Sequence, residues 1–341
     1  MSAVVEHGSG ELKKGSRSIW STLGPWATQI GILVVIVVLC VLFGRIQPRF
    51  VSTTTISLIF KYYSPVAVLA LGMTFVILTG GIDLSVGYLM MFLMFVAAAL
   101  FKRGMDPTLA LLASLGTAAI IGTAVGMCVA LARIPSFIVT LAVMVAAYGA
   151  TLLISSNQTI TDLPAVHTTL GGGTFTLGDQ PYSFTMPVVI ALYLLASFVL
   201  NRTSYGRYIY AVGSNREAAR LNGVRVNLVE ISVYTLMALC CWLAAWMQLG
   251  INHTADPKIA LSDAFELNAI AMVVIGGTSL TGGRGGVGGT ALGALLLCVL
   301  FNGLPMLGGQ FGDTSWRKLV QGGVIFLGAI LDAVQRRYLR K

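Results

Sequence analysis

The sequence predicts an all-α integral membrane protein of about ten transmembrane helices, and three observations predict it. The 341-residue chain is 56% hydrophobic and only 10% charged, whereas soluble domains carry about 25% charged residues. Its apolar residues fall in long continuous runs, and a helix needs about 20 such residues to cross a bilayer. The basic residues collect between the runs in a pattern that alternates from one side of the membrane to the other.

Ten apolar runs define a transmembrane domain over residues 25–335. They lie at about 25–43, 56–81, 88–101, 108–132, 136–154, 186–200, 229–251, 267–275, 289–304 and 316–334. The first run is long for a signal peptide and no small-residue cleavage site follows it, so we interpret it as an uncleaved span. Pro65 lacks a backbone donor and is expected to kink the second helix or to mark its beginning. The run at 267–275 is short and must include glycine-rich residues after it.

The distribution of lysine and arginine predicts that both termini are cytoplasmic. With ten spans, the inner segments hold 14 of the 22 basic residues, as the positive-inside rule requires. The cytoplasmic segments are then the tails at 1–24 and 336–341 and the loop at 201–225. The long segment at 155–185 contains no lysine or arginine and is predicted to be an outer loop.

The loop at 201–225 is the longest basic interruption of the chain, with five arginines opposed only by Glu217. Ser214 and Glu217 have the spacing of a capping box, which predicts a helix start. Gly223 can adopt the left-handed conformation that ends a helix. The pattern predicts a cytoplasmic helix of about two turns, which is too short to be stable alone. Two interpretations remain open, an ordinary basic loop and an element that docks on another protein.

An internal repeat joins two glycine-rich segments at an offset of 196 residues. Both have the pattern GGxxL[ST]xG, and each follows an apolar run. Glycine-interrupted spans at matching positions are typical of the working region of transporters. The residues predicted to line or gate a substrate path are Gly80, Gly81, Asp83, Ser85, Gly276, Gly277 and Ser279. For Asp83 and Ser85 a second interpretation is that they cap the next helix.

Three ordered motifs resemble those of the ribose-type sugar permeases, the membrane subunits of ABC importers. They are LTGGIDLSVG at 78–87, SYGRYIYAVGSN at 204–215 with Ala218, Ala219 and Gly223 after it, and IGGTSLTGGRG at 275–285. The resemblance runs from about residue 56 to the C-terminus. One departure is Asn268, where the family usually has aspartate, which puts any ion-pair role at that position in doubt.

The resemblance implies a permease of a bacterial inner membrane that imports a monosaccharide or similar small solute by alternating access. It implies three protein partners, namely an ATP-binding cassette ATPase, a second permease copy and an extracytoplasmic sugar-binding protein. The ATPase would hold the loop at 201–225 and would itself bind ATP and magnesium. The residues implied in coupling are Gly206, Arg207, Gly213, Asn215, Glu217, Ala218, Ala219 and Gly223.

Several other functions are disfavoured by what the sequence lacks. No glycine is followed directly by lysine, so the chain has no phosphate-binding P-loop and would not hydrolyse ATP itself. No metal-site or catalytic spacing occurs within the apolar runs, which argues against an enzyme and against a metal site. The net charge of +9 is explained by cytoplasmic basic loops at lipid surfaces rather than by nucleic acid. The alternative is an ion-coupled secondary transporter, for which the chain offers Asp83 and Lys61 as ionisable groups.

Overall fold

The computed structural model describes residues 27–308 and, after them, residues 315–316, 318–323, 326 and 330. In chain order, the helices and strands of residues 27–308 are α1 (Ala27–Ile46), α2 (Thr53–Leu78), α3 (Val86–Lys102), α4 (Pro107–Ala130), α5 (Ser136–Ser155), α6 (Ala165–Gly172), β1 (Thr174–Leu177), β2 (Gln180–Ser183), α7 (Thr185–Arg202), α8 (Ser204–Ser214), α9 (Arg216–Leu221), α10 (Val226–Asn252), α11 (Ile259–Asp263), α12 (Phe265–Ile275) and α13 (Val287–Gly303). Short 3-10 turns follow α1 and α13. The predicted tails at 1–24 and 336–341 lie outside the described residues, as does most of the predicted span at 316–334.

Seven helices of the described chain are long and apolar enough to cross a membrane, namely α1, α2, α4, α5, α7, α10 and α13. Two further apolar helices are shorter, α3 with 17 residues and α12 with 11. Each of the short helices borders a glycine-rich break in the backbone. The all-helical membrane architecture predicted from composition is therefore confirmed, and its two short members are those beside the internal repeat.

Helix α2 is continuous across Pro65. Its first turn is capped by Ser52, whose hydroxyl accepts from the Thr55 amide at 3.2 Å. Pro65 leaves the Lys61 carbonyl without its usual amide donor, since a helical amide bonds the carbonyl four residues before it. The Ser64 hydroxyl donates to that carbonyl at 3.0 Å instead. The expectation that Pro65 marks the beginning of the helix is therefore wrong, because a neighbouring side chain supplies the missing donor.

The connections between helices gather at two opposite ends of the bundle. At one end, which we call the hairpin end, the Ser183 amide donates to the Ser57 hydroxyl and the Trp246 indole donates to the Val166 carbonyl. At the other, which we call the junction end, the Gly283 amide donates to the Leu78 carbonyl. The segment predicted as an outer loop lies at the hairpin end and is partly ordered, since it contains α6 and the antiparallel pair β1–β2.

The core of the bundle lies around α3, which is buried over most of its length. Met90, Met91 and Leu93, which lie on different sides of α3, are fully buried, as expected of a helix that is apolar all round and enclosed by others. Helix α1, by contrast, has large apolar side chains such as Val37 and Val41 more than half exposed. An apolar exposed surface of this kind suits contact with lipid. The first break, beside α3, is largely buried inside protein, whereas the second, after α12, is exposed at Thr281, Arg284 and Gly285.

Candidate functional site

The two copies of the internal repeat end their helices in the same backbone conformation. Gly80 after α2 has φ +83° and Gly277 after α12 has φ +87°. The next amide in each case bonds the carbonyl five residues back, Gly81 to Val76 and Thr278 to Val273. The structural offset is therefore one residue larger than the sequence alignment, which paired Gly80 with Gly276. Gly276 has a packing role instead, because a side chain there would collide with the Gly289 backbone.

The first break, at residues 81–85, is irregular backbone that runs along the first turn of α5. The Ile82 amide donates to the Ser136 hydroxyl and the Leu84 amide donates to the Thr140 hydroxyl, both at 3.1 Å. Hydroxyl side chains therefore replace the hydrogen bonds that a helix would have made, which a break inside a membrane protein requires. The segment is fixed by its neighbours rather than by itself.

Asp83 lies inside this first break and is 4% exposed. Its Oδ1 accepts from the Ser85 amide at 2.8 Å and from the Ser85 hydroxyl at 2.6 Å. Ser85 is the residue before α3, and its side chain makes no capping bond to the helix. Asp83 therefore stabilises the turn that leads into α3, which is close to the capping interpretation, although it bonds Ser85 rather than the first turn of the helix itself. A role of Asp83 and Ser85 in gating stays a prediction.

The second break, Thr278–Gly286, closes on itself. The Ser279 amide donates to the Arg284 carbonyl at 3.0 Å, and the Gly286 amide donates to the Thr278 hydroxyl at 3.3 Å. Gly282, Gly283 and Gly285 all have positive φ, so the loop uses backbone conformations that other residues rarely adopt. This break is thus a compact glycine loop held by bonds within itself and by one side chain of α8, since the Tyr210 hydroxyl donates to the Gly285 carbonyl at 2.9 Å.

Helix α8 brings the two breaks together. Gly213 in its last turn lies so close to the Leu78 carbonyl that a side chain there would collide with it, and the Gly283 amide lies beside it. Gly282 is in turn packed against the Gly80 amide and the Gly213 carbonyl. We call this meeting point, formed by residues 78–81, 213 and 282–283, the glycine junction. The structure therefore brings Gly80, Gly81 and Gly213 into one site.

The sequence predicts only one short helix in the basic loop, whereas the structure has a second helix there, α8. Helix α8 has 11 residues and is capped by Thr203, whose hydroxyl accepts from the Gly206 amide. Gly206, Ile209 and Val212 are its buried residues. Their spacing of three is that of one face of an amphipathic helix, and it was the available signal. Polar and arginine residues between them concealed it.

Helix α9 is the short helix that the sequence predicted, but its cap differs. Ser214 is the last residue of α8, so it does not cap α9. Asn215 is extended, and its Oδ1 accepts from the Ala218 amide at 3.0 Å. Glu217 does not reach back to the cap and instead pairs with Arg220 at 2.9 Å. The capping box of Ser214 and Glu217 is therefore wrong, whereas Gly223 does end the helix region with φ +81°.

The predicted coupling residues divide into an outward and an inward group. Arg207, Asn215, Glu217, Ala218 and Gly223 are exposed. Gly206 and Gly213 are packed against backbone, and Ala219 is 5% exposed. Leu221, at the end of α9, is 82% exposed and was absent from the predicted set. Singly exposed apolar residues are common on protein surfaces, so the exposure of Leu221 does not by itself identify an interface.

Arg216 anchors α9 to the bundle. Its Nη2 lies 2.8 Å from the Glu230 carboxylate on α10, and it donates to the Ala130 carbonyl at the end of α4 at 3.2 Å. The Glu230 side chain is 9% exposed and the Arg216 side chain 38% exposed, so the ion pair is only partly shielded from water. Helix α9 is therefore bonded to both α4 and α10 at its first residue.

Among the described residues, no group of three or more histidine, cysteine, aspartate or glutamate side chains is placed to hold a metal ion.

Comparison with known proteins places the chain in a family. Residues 54–329 match the family model described as "Branched-chain amino acid transport system / permease component". The fructose import permease protein FrcC of Rhizobium meliloti is 37% identical over 306 residues, which is 88% of this chain and 84% of the relative. The ribose import permease protein RbsC of Escherichia coli is 36% identical over 309 residues, covering 90% and 94%.

A more distant relative is the xylose transport system permease protein XylH of Escherichia coli, which is 30% identical and covers 84% of this chain and 87% of its own. No solved structure matches the chain. A family model that covers most of the chain, together with relatives of this identity and coverage, agrees with the resemblance carried by the three motifs. The chain belongs to the family of ABC-importer permease components that includes the ribose, fructose and xylose import permeases.

Proposed function

We propose that this protein is the membrane-spanning subunit of an ATP-driven importer of a monosaccharide or a similar small polar solute. It would work in the bacterial inner membrane with ten spans and both termini cytoplasmic. Its partners would be an ATP-binding cassette ATPase that binds ATP and magnesium, a second permease copy, surrounding lipid, and an extracytoplasmic sugar-binding protein. The chain itself would catalyse no reaction. The relatives' names, which specify ribose, fructose and xylose, support the sugar class.

The observation that carries the proposal is the packing of α8 on the glycine junction. Gly213 contacts the backbone of both repeat copies directly, without an intervening side chain. Backbone in close contact has no soft rotamer to absorb a displacement, because packed interiors are dense. A partner that moves α8 and α9 would therefore move the ends of α2 and α12 together, which is what an alternating-access mechanism requires.

Helix α9 supplies the surface by which the ATPase would hold the chain. Leu221 projects from its end, and Glu217 with Arg220 form an exposed charged pair beside it. A short amphipathic helix that enters a groove through one apolar anchor is a recurring mode of recognition. Ala219 is buried in its own chain, so it would support this surface from beneath rather than contact the partner.

Co-purification with the candidate ATPase tests this assignment. Wild-type protein, solubilised in detergent, is expected to retain the ATPase, and Leu221→Glu is expected to lose most of it. Leu177→Glu is the matched control, because Leu177 is 70% exposed at the hairpin end. Equal retention by the two variants would remove α9 from the interface.

Ion-coupled transport is the alternative, and the buried carboxylate of Asp83 is the observation that keeps it open. Purified protein in vesicles without ATPase or ATP is expected to show no substrate uptake in a proton or sodium gradient. Uptake under those conditions that depends on Asp83 would overturn the importer proposal.

A further inference from the structure

A second site is formed by a cavity of about 450 Å³ between α2, α10, α12 and α13. Its volume lies within the range of about 300–1,000 Å³ that is usual for small-molecule sites. The connection after α10 forms part of its wall and lies at the hairpin end, where Ala255 pairs with Ile160. The wall also includes Met272, one turn from the start of the second break. The cavity therefore lies between the hairpin end and the glycine-rich loop that contacts α8.

The lining is rich in amide side chains, which are uncommon inside a membrane bundle. Gln248 and Asn252 come from α10, Asn268 from α12 and Asn302 from α13. An amide is neutral and both donates and accepts hydrogen bonds. With Gln321 of the segment 318–323 there are five amides, and they form a surface suited to a ligand that has many hydroxyl groups. The wall also contains Asp256, Asp263 and Lys318, whose charges are of mixed sign, so it lacks the single sign of charge that would select a charged solute.

Two of these amides have an atom without a hydrogen-bond partner among the described residues. They are Oδ1 of Asn268, an acceptor, and Nδ2 of Asn302, a donor. The orientation of Asn268 is set by its own Nδ2, which donates to the Asp263 carbonyl at 2.9 Å. An aspartate could not make that bond while ionised, so the amide has a local reason to be there. Both atoms are enclosed by protein, and leaving a buried polar atom unpaired is unfavourable, so turning either amide towards the cavity would let a ligand hydroxyl pair with it.

Aromatic rings complete the cavity. Phe265 at the start of α12 and Phe301 beside Asn302 both line it, and Tyr63 of α2 lies on another side. Small-molecule sites typically combine apolar or aromatic walls with a few polar groups that fix the orientation of the ligand. Sugar rings have both kinds of surface, since their C–H groups form apolar patches and their hydroxyls lie around the edge.

We propose that this amide cavity is a transient binding site for a neutral, monosaccharide-sized polyhydroxylated solute, with Asn268 and Asn302 as its hydrogen-bonding residues. The proposal rests on the importer function and extends it, because it gives the permease chain itself a part in selecting the solute. The solute would leave the cavity along α12 towards the second break. Asn268 and Asn302 would then be specificity-determining residues of the membrane subunit.

The test uses the complete importer in proteoliposomes, with ATP inside and loaded binding protein outside. Uptake of radiolabelled ribose, fructose and xylose is measured together with ATP hydrolysis stimulated by the binding protein. Asn268→Leu and Asn302→Leu keep the branched four-atom skeleton of the side chain and remove the amides. Asn302→Ser is a smaller polar variant that guards against misfolding of the leucine variants. Gln158→Leu is the matched control, because Gln158 is an exposed amide at the hairpin end outside the cavity.

The expected result is a fall of at least about fivefold in sugar moved per ATP hydrolysed for both leucine variants, with Asn302→Ser intermediate and Gln158→Leu unchanged. The uptake rates of the three sugars should also become more nearly equal. Wild-type rates and preferences in Asn268→Leu and Asn302→Leu would overturn the cavity proposal while leaving the importer intact. If the leucine variants misfold, an unchanged Asn302→Ser would overturn it equally. Failure of the wild-type importer to move any of the three sugars would instead overturn the proposed function, and the cavity proposal with it.

Discussion

The two ends of the bundle are held together in different ways. At the junction end, three segments of backbone touch each other through glycines, and Gly213 has no room for even one methyl group. At the hairpin end, glycine contacts join only two helices, α6 and α10, where a side chain on Gly171 would collide with the Met247 carbonyl. Side chains bridge the other segments there, as when Thr185 donates to the Phe60 carbonyl. The junction end therefore differs in that backbone contacts join both repeat copies to α8, which is the arrangement that the proposed coupling to an ATPase would use.

The largest effect is expected at Gly213. Gly213→Ala places a methyl group against the Leu78 carbonyl, so α8 must separate from the two breaks. We expect ATP-driven uptake to fall at least about tenfold, because overpacking of a tight contact forces backbone shifts. Gly288→Ala, at the same end but with open space around it, is the control and should retain uptake. Equal uptake by the two variants would contradict a force-transmitting junction.

The next effect separates the two interpretations of Asp83. Asp83→Ala removes the acceptor for both Ser85 bonds, which should lower the free energy of unfolding by about 1–3 kcal/mol. Asp83→Asn keeps an acceptor oxygen and loses the charge, so it should keep uptake within about twofold if the residue orders the turn. Thermal unfolding and uptake are measured on both variants. A folded Asp83→Asn that transports nothing would show that the charge itself is required.

A smaller effect is expected at the hairpin end. Trp246→Phe removes the indole donor to the Val166 carbonyl, which should lower stability by about 0.5–1.5 kcal/mol. The amount of sugar moved per ATP hydrolysed should not change, because the variant removes one hydrogen bond at the hairpin end and no contact of the glycine junction. Thermal unfolding measured beside coupled uptake checks both statements, and a loss of coupling in this variant would erase the contrast between the two ends.

The smallest effect is a pH dependence at His167. This side chain is fully buried, Nε2 lies 2.9 Å from the Pro107 carbonyl, and burial lowers the pKa of the imidazole from its ordinary 6.5. The unfolded chain therefore takes up the proton first as the pH falls, so the stability that the neutral ring contributes is complete above about pH 7 and declines below about 6.5. Unfolding temperatures of wild type and His167→Gln across that range should differ in slope. His253→Gln, an exposed control, should follow wild type.

The helices were largely predictable because each long apolar run has one stable form in lipid, a helix with all its backbone bonds internal. The site was predictable only in part. The sequence alignment of the repeat pairs Gly80 with Gly276, whereas the backbone conformation pairs Gly80 with Gly277. Ser214 and Asn215 are equally good caps by residue type, and only the extended φ of Asn215 decides between them.

What the sequence could not show was what distant segments do together. The amides of the cavity are spread from Gln248 to Gln321, and nothing in their local pattern distinguishes them from ordinary polar residues of loops and helix ends. The exposure of Leu221 is likewise a property of the packed chain, since leucine in a helix next to alanines is usually buried. Both features depend on long-range packing, which composition and periodicity do not encode.

Helix α2 has a mechanical consequence for the whole molecule. Its 26 residues form a rod of about 39 Å, with the Ser57 hydroxyl engaged by the hairpin at one tip and the Leu78 carbonyl engaged by Gly283 at the other. The helix continues past Pro65, where the Ser64 hydroxyl donates to the Lys61 carbonyl that lacks its amide donor. One continuous helix therefore connects the two ends of the bundle, so a displacement of one end would be felt at the other. A solute carrier that docks outside and a motor that docks inside would thus sense each other along one helix.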